Sequence, residues 1–124
     1  MRCVRIYSDG EGESHFEDVD IELQATDYAP PAEPLMVSVA VPASSLALAT
    51  FPLGWDGSAW HASPRRQYFV FMSGTLEVSV SDGESRLLGP GDIVLLEDLT
   101  GQGHSTRLLG DEQVCGVFVH SPET

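Results

Sequence analysis

Two histidines, His61 and His104, are the residues of this chain best suited to chemistry. A neutral imidazole is the commonest side-chain metal ligand in proteins, and it also takes up and releases protons near neutral pH. Ser63 and Gln67 follow His61 closely and offer a rotatable hydroxyl and an amide that both donates and accepts. We therefore treat His61 and His104 as candidate catalytic residues, and Ser63 and Gln67 as candidate ligand-binding residues. The alternative is that both histidines are hydrogen-bonded interior residues with no further role.

The two histidines lie in separate stretches that are rich in glycine. The first stretch contains, in order, Gly57, His61, Ser63, Gln67 and Gly74. The second contains Gly91-Asp92, an apolar run at 93–96, and His104. These stretches resemble the two signature motifs of the cupin family: Gly, His, a second His, Glu and Gly in the first, and Gly-Asp, a strand and His in the second. Across residues 45 to 120 the resemblance implies a single-domain all-β fold, the cupin double-stranded β-helix or jelly-roll barrel, with both histidines pointing into the barrel.

The resemblance also identifies the positions at which metal ligands would lie. In metal-binding cupins the three histidines and the glutamate of the motifs hold one divalent ion. This sequence keeps His61 and His104 but has Ser63 and Gln67 at the other two positions. A hydroxyl and a neutral amide are weaker ligands than imidazole and carboxylate, and loss of the negative charge lowers the attraction for a cation. The cofactor therefore stays open between none and one ion of iron, manganese, nickel or zinc, held by His61, Gln67 and His104 with water or substrate oxygens.

Three aromatic side chains, Phe51, Trp55 and Trp60, precede His61 and alternate with turn residues. Their spacing suits a loop that folds over the mouth of a pocket and contacts a ligand, although large aromatics also serve simply to cover the edge of a core. Together with Ser63 and Gln67, they favour binding of a small polar molecule in the barrel interior, such as a sugar, a hydroxylated ring or a small organic acid.

Two other functions compete with small-molecule binding, because a fold alone does not decide function. One is a cupin enzyme of the dioxygenase or isomerase/epimerase type, in which His61 and His104 either hold a catalytic metal or one of them abstracts a proton without a metal. The other is a structural or partner-binding role, which predicts an interior filled with apolar side chains and no accessible pocket.

Short strands separated by turns account for most of the chain. The predicted strands are 2–7, 15–23, 36–41, 45–51, 67–73, 76–81, 93–96, 104–109 and 114–119. Asp82-Gly83 predicts a hairpin turn, and no stretch has a helical period, so the pattern favours an all-β barrel. Residues 1–34, which include a loop with three prolines, are expected to pack on this barrel or to cross to a partner, and residues 35–124 to form the barrel itself.

One strand predicts an oligomer. Between Gln67 and Ser73, the residues of both faces are largely apolar. A strand with two apolar faces needs cover on its outer side as well as its inner side, from another strand or another subunit. We therefore expect a homodimer.

The net charge of the chain argues against two classes of binding partner. The chain has 124 residues, with 19 acidic against 6 basic residues and a formal charge of −13. Such a charge repels nucleic-acid phosphates and anionic membrane surfaces. No secretion signal or membrane-spanning run is visible, so we expect a cytoplasmic protein, with Cys3 and Cys115 as free thiols.

Overall fold

The computed structural model describes residues 1–123, and within that range every regular element is a β-strand. The strands are β1 (Arg2–Ser8), β2 (Ser14–Asp20), β3 (Gln24–Thr26), β4 (Leu35–Val37), β5 (Ser45–Phe51), β6 (Asp56–His61), β7 (Gln67–Ser73), β8 (Thr75–Val80), β9 (Ser85–Leu88), β10 (Ile93–Glu97), β11 (His104–Leu109) and β12 (Val114–His120). The predicted all-β jelly-roll class is confirmed.

Two sheets form the barrel. The larger has the strand order β2-β1-β10-β7-β12-β5, and the smaller has the order β6-β11-β8-β9. Alternation along the strands sends one face of each sheet inward. The buried core comprises Val4, Ile6, Phe16, Phe69, Phe71, Leu76, Val78, Val80, Leu88, Val94 and Val114, drawn from both sheets. The site residues are therefore held between two sheets rather than on a surface loop.

The N-terminal strands belong to the larger sheet of their own chain. β1 pairs in parallel with β10, with Val4 opposite Val94, and β2 pairs antiparallel with β1. β3 and β4 pair with each other as a separate two-stranded sheet. The strand expected over 15–23 ends at Asp20, and the strand expected over 36–41 is reduced to Leu35–Val37, because its partner β3 is only three residues long.

Two turns fix the register around the site. The hairpin predicted at Asp82-Gly83 joins β8 to β9, and Gly83 has a φ of +102°, which a residue without Cβ adopts at low cost. In the Gly-Pro-Gly-Asp turn before β10, the Asp92 carboxylate accepts a hydrogen bond of 2.8 Å from the Gly89 N–H. The Asp92 carbonyl accepts another of 3.2 Å from Phe71, which ties the turn to β7.

Candidate functional site

A cavity of about 220 Å³ lies between the two sheets. Six of the seven residues proposed from the sequence line it: Phe51, Trp55, His61, Ser63, Gln67 and His104. Trp60 does not line it; this side chain follows the opposite face of β6 from His61 and is 51% exposed. The remaining lining residues are Ile6, Pro64, Phe69, Phe71, Leu76, Val78, Leu88, Val94, Leu96, Thr106 and Phe118. The wall is thus mostly apolar, with the polar groups concentrated on β6, β7, β11 and the loop after β6.

The two histidines face each other across neighbouring strands. β6 and β11 pair antiparallel with His104 directly opposite His61, and the two ring centroids are 4.7 Å apart. The register shifts between His104 and Thr106, and such irregularities redirect side chains near functional sites. Residues far apart in the sequence thereby become one pair of imidazoles.

The Nδ1 atom of each imidazole forms a hydrogen bond within the protein. His104 donates from Nδ1 to Oδ2 of Asp98 over 2.6 Å, and His61 donates from Nδ1 to the carbonyl oxygen of Ala59 over 2.8 Å. Because a carboxylate and a carbonyl only accept, the proton of each neutral ring is on Nδ1. Each Nε2 is then an acceptor, and no side chain or backbone group of residues 1–123 hydrogen-bonds to it. Two acceptors are available at the same end of the cavity.

Asp98 is the member of the site that the sequence did not reveal. It is fully buried, and its Oδ1 has no hydrogen-bond partner within the described residues. Its backbone carbonyl accepts a hydrogen bond of 2.9 Å from the Ser63 N–H, which links the two motif stretches. The one sequence signal that could have identified Asp98 is its position between the strand of the second motif and His104. Without the fold, Asp98 is one of 19 acidic residues.

Gln67 and Ser63 differ in their availability to a ligand. Gln67 lines the cavity and is 6% exposed, and its side-chain amide makes no hydrogen bond to residues 1–123. The Ser63 hydroxyl donates to the Arg65 carbonyl over 2.7 Å, so its proton is already used within the loop. Gln67 can therefore donate to and accept from a ligand, whereas Ser63 has only acceptor capacity left.

Aromatic rings form one wall of the cavity. The Phe51 ring meets the Trp55 ring edge to face at a centroid distance of 4.7 Å and meets Phe69 at 5.5 Å. The Trp55 indole lies directly over Gly57: a Cβ built on that glycine would be 2.1 Å from the ring. The glycine of the first motif is thus required so that Trp55 can lie against the backbone.

A second glycine controls the spacing of the histidines. Gly103 has a φ of +71°, and a Cβ there would lie 2.0 Å from the carbonyl oxygen of His61. Its own carbonyl accepts a hydrogen bond of 2.5 Å from the hydroxyl of the fully buried Ser14. The strand carrying His104 therefore approaches β6 more closely than any residue with a side chain would allow.

The two arginines beside the first motif do not line the cavity. Arg66 and Arg5 each donate from Nε to the Glu97 carboxylate over 2.5 Å. Burial alone would raise the pKa of Glu97, but the hydrogen bonds from Arg66 and Arg5 outweigh it and lower that pKa. Arg66 is thus held in a salt bridge with Glu97, and neither Arg65 nor Arg66 adds a positive charge to the cavity wall.

A family model described as a cupin domain matches residues 47–120, well over half of the chain. This chain belongs to the cupin family. No curated protein matches this cupin. Residues 1–123 contain no helix long and apolar enough to cross a membrane.

The polar residues of this cupin do not form a full metal site. No group of three His, Cys, Asp or Glu side chains within residues 1–123 is close enough to hold an ion. Two imidazole Nε2 atoms remain, with the neutral amide of Gln67 as the third donor of the cavity. The Oδ2 atom of Asp98 is occupied by His104. Catalytic zinc sites have three protein ligands drawn from His, Cys, Asp and Glu. Only two of the three donors here are of these types, so this donor set falls short, and we derive no chemical step through a metal.

Proposed function

We propose that this cupin binds a small, largely apolar ring compound that carries at least one hydroxyl group. The observation that supports the proposal most directly is the pair of unpartnered Nε2 acceptors, on His61 and His104, at one end of an aromatic-walled cavity. A ligand hydroxyl donates to one of these nitrogens, and the Gln67 amide donates to an oxygen of the ligand. The hydrocarbon part of the ring packs against Phe51, Trp55 and the other apolar walls.

The size of the cavity limits the ligand. A cavity of about 150 Å³ holds benzene, so the cavity of about 220 Å³ fits a single ring with a few substituents. A much larger ligand would need the mouth to open. The proposal is therefore confined to single-ring compounds.

The polarity of the cavity wall favours some classes of ligand over others. A sugar carries hydroxyls around its whole ring, and those facing Phe69, Leu76 and Val78 would lose their hydrogen bonds to water without replacement. A carboxylate would find no arginine or lysine in the wall. A hydroxylated aromatic or alicyclic ring matches the wall best, because its polar atoms are confined to one edge.

A second function is favoured by one specific contact, the hydrogen bond between His104 and the buried Asp98. A carboxylate on Nδ1 orients an imidazole and stabilises the imidazolium that forms when Nε2 takes up a proton. His104 could then remove a proton from a carbon next to a ligand carbonyl, while the Gln67 amide donates to the developing oxyanion. With a β,γ-unsaturated carbonyl ligand the product of this step is a dienolate, and return of the same proton to its γ-carbon moves the double bond into conjugation, which completes an isomerisation without an oxidant or a reductant.

Ligand-detected NMR tests the binding proposal. The parent protein and the His104→Ala variant are screened against matched sets of single-ring phenols, cyclic alcohols, monosaccharides and aromatic acids, with His120→Ala as a control outside the cavity. We expect hydroxylated rings to bind the parent and the control, and to bind His104→Ala at least tenfold more weakly. Binding confined to sugars, or no difference between the two histidine variants, would contradict the proposal.

Deuterium exchange then distinguishes a binder from a proton-transfer enzyme. A bound ligand with a ketone or enol group is incubated with the protein in D₂O, and its C–H signals are followed by NMR. Loss of signal with the parent but not with His104→Ala supports catalysis. Unchanged signals with a ligand that is demonstrably bound support binding alone.

A further inference from the structure

Thr106 is a polar residue of the cavity wall that the contacts proposed above leave unused. It lies on β11 two residues after His104, is 7% exposed and lines the cavity. The residues beside it and beyond it are apolar, because Thr106 pairs with Val78 of β8 and Leu108 packs against the core. A threonine here therefore puts a hydroxyl where the wall is otherwise hydrocarbon.

The Thr106 hydroxyl makes no hydrogen bond to any group of residues 1–123. In this part of the chain, the buried side-chain atoms that lack both a partner and accessible surface are Arg65 Nε and Asp98 Oδ1. The Thr106 oxygen is not one of these sealed atoms, so it remains accessible, and the cavity is the space that this side chain lines. A ligand that fills the cavity must offer this hydroxyl a polar atom, because a buried hydroxyl without a partner is unfavourable.

Thr106 and His104 form one line of polar groups along β11. Side chains two residues apart on a strand point to the same side, and their Cα atoms are about 6.6 Å apart. The ladder between β11 and β8 is regular from His104 to Leu109, and the register shift lies on the β6 side, where four residues span the length of two. The imidazole and the hydroxyl therefore approach a ligand from the same wall, with the hydroxyl one step deeper.

The part of the cavity beyond Thr106 is lined by apolar side chains. Along β8, the next inward residue after Val78 is Leu76, which pairs with Leu88 of β9, and both leucines line the cavity together with Phe71 of the larger sheet. An oxygen on the ring carbon opposite the first hydroxyl would point to this end and lose its hydrogen bonds to water. An oxygen on an adjacent or next-but-one ring carbon would instead point to β11.

We infer that Thr106 determines ligand specificity, and that the ligand is a single ring with two oxygen substituents on adjacent or next-but-one carbons. The inference rests on the proposed function, in which the first hydroxyl donates to His61 or His104. The Thr106 hydroxyl hydrogen-bonds the second oxygen, as donor to a carbonyl or in either direction to a hydroxyl. A ring with one oxygen binds more weakly, because it leaves this buried hydroxyl unpaired.

NMR titration of the full chain with phenol and with 1,2-, 1,3- and 1,4-dihydroxybenzene tests this inference. We expect the parent to bind the 1,2- or the 1,3-isomer about tenfold more tightly than phenol or the 1,4-isomer, as one further hydrogen bond allows. Thr106→Val keeps the shape of the side chain and should abolish this preference without weakening phenol binding. Thr106→Ser, which keeps the hydroxyl, should retain the preference. Thr75→Val, on β8 and outside the cavity, is the matched control.

Urea denaturation without ligand gives a second readout. Thr106→Val should unfold at the same urea concentration as the parent or at a higher one, because the hydroxyl has no partner in the protein to lose. A lower midpoint would show that the hydroxyl serves the fold, and would overturn the inference.

The titration separates failure of this inference from failure of the proposed function. Binding of hydroxylated rings that depends on His104 but shows no preference among the four compounds would overturn the inference alone. A preference that survives in Thr106→Val, or one for the 1,4-isomer, would do the same. If no ring binds the parent, or if His104→Ala binds as the parent does, the proposed function fails and the inference fails with it.

Discussion

The Nδ1 atom of His104 lies 2.6 Å from Oδ2 of Asp98, and Asp98 is fully buried. This contact fixes the orientation of the imidazole and leaves Nε2 as the acceptor at the cavity. A hydrogen bond to a charged group contributes roughly 1.5–3 kcal/mol. It also holds the carboxylate in an interior where Oδ1 has no other partner among residues 1–123.

Asp98→Asn should weaken ligand binding about tenfold, which corresponds to about 1.4 kcal/mol. The amide keeps the shape of the carboxyl group but removes its charge, so it no longer specifies the Nδ1–H tautomer of His104. Titration of the best-bound phenol measures the affinity, and ¹⁵N NMR of the histidine side chains measures the tautomer. Asp111→Asn, in the exposed turn before β12, is the control. An unchanged tautomer together with unchanged affinity would show that Asp98 does not position His104.

Gly103→Ala should destabilise the protein by about 3 kcal/mol or more. The substitution combines a positive φ with a clash against the His61 carbonyl, which a Cβ would approach to 2.0 Å. Gly110→Ala isolates the first contribution, because Gly110 also has a φ of +71° but nothing lies within 4 Å of its Cβ position. We expect this control variant to lose about 1–2 kcal/mol of unfolding free energy. Urea denaturation compares the two, and equal losses would refute the close approach of the strands that carry the histidines.

Gly57→Ala should displace the Trp55 indole, because the added Cβ would lie 2.1 Å from the ring. The backbone tolerates alanine there, so the main effect should be at the cavity wall. In a Trp60→Phe background only Trp55 fluoresces, and its emission maximum should shift while ligand affinity falls. Gly10→Ala, where nothing lies within 4 Å, is the matched control. An unchanged Trp55 spectrum would contradict the packing described.

His15 gives the stability of the fold a pH dependence. Hydrogen bonds from the His15 ring to Asp9 (2.7 Å) and Asp82 (2.8 Å) raise its pKa, and the His15 hydrogen bond lowers the pKa of Asp9. The histidine contribution is fully present below its unfolded pKa of about 6.5 and is lost as pH rises through the higher folded value. The Asp9 contribution is present above its unfolded pKa of about 3.9 and is lost as pH falls.

His15→Gln should therefore cost more stability near pH 5.5 than near pH 9. Urea denaturation at both pH values measures the difference. His120→Gln provides the control, since the His120 ring bonds the Ser45 hydroxyl rather than a carboxylate. A His15→Gln penalty that is the same at both pH values would exclude a charged His15 as the source.

Elemental analysis checks the metal hypothesis directly. We expect a metal-to-chain ratio well below one in the purified protein, and ligand binding that a chelator does not change, because the cavity offers two imidazoles and an amide without a carboxylate. The His61→Ala, His104→Ala double variant is the comparison. A ratio near one that disappears in the double variant would establish a metal centre.

The sequence alone determined the all-β class, the hairpin at Asp82-Gly83 and six of the cavity residues. These follow from local signals: alternation of apolar and polar residues, turn-forming pairs, and the spacing of two motifs. The same signals place Trp60 next to His61 in sequence, but neighbouring residues of a strand point to opposite faces, so only His61 reaches the cavity.

The tertiary structure alone decided the role of Asp98, the partners of His15 and the composition of the cavity wall. His15 lies near Glu13, Glu17 and Asp18 in the sequence, but its ring meets Asp9 and Asp82, from two turns that lie far apart in the chain. Asp98 reaches His104 through a loop whose course no local pattern encodes. Contacts of this kind depend on which strands pair and in which register, and that is set by the packing of the whole core rather than by any one segment.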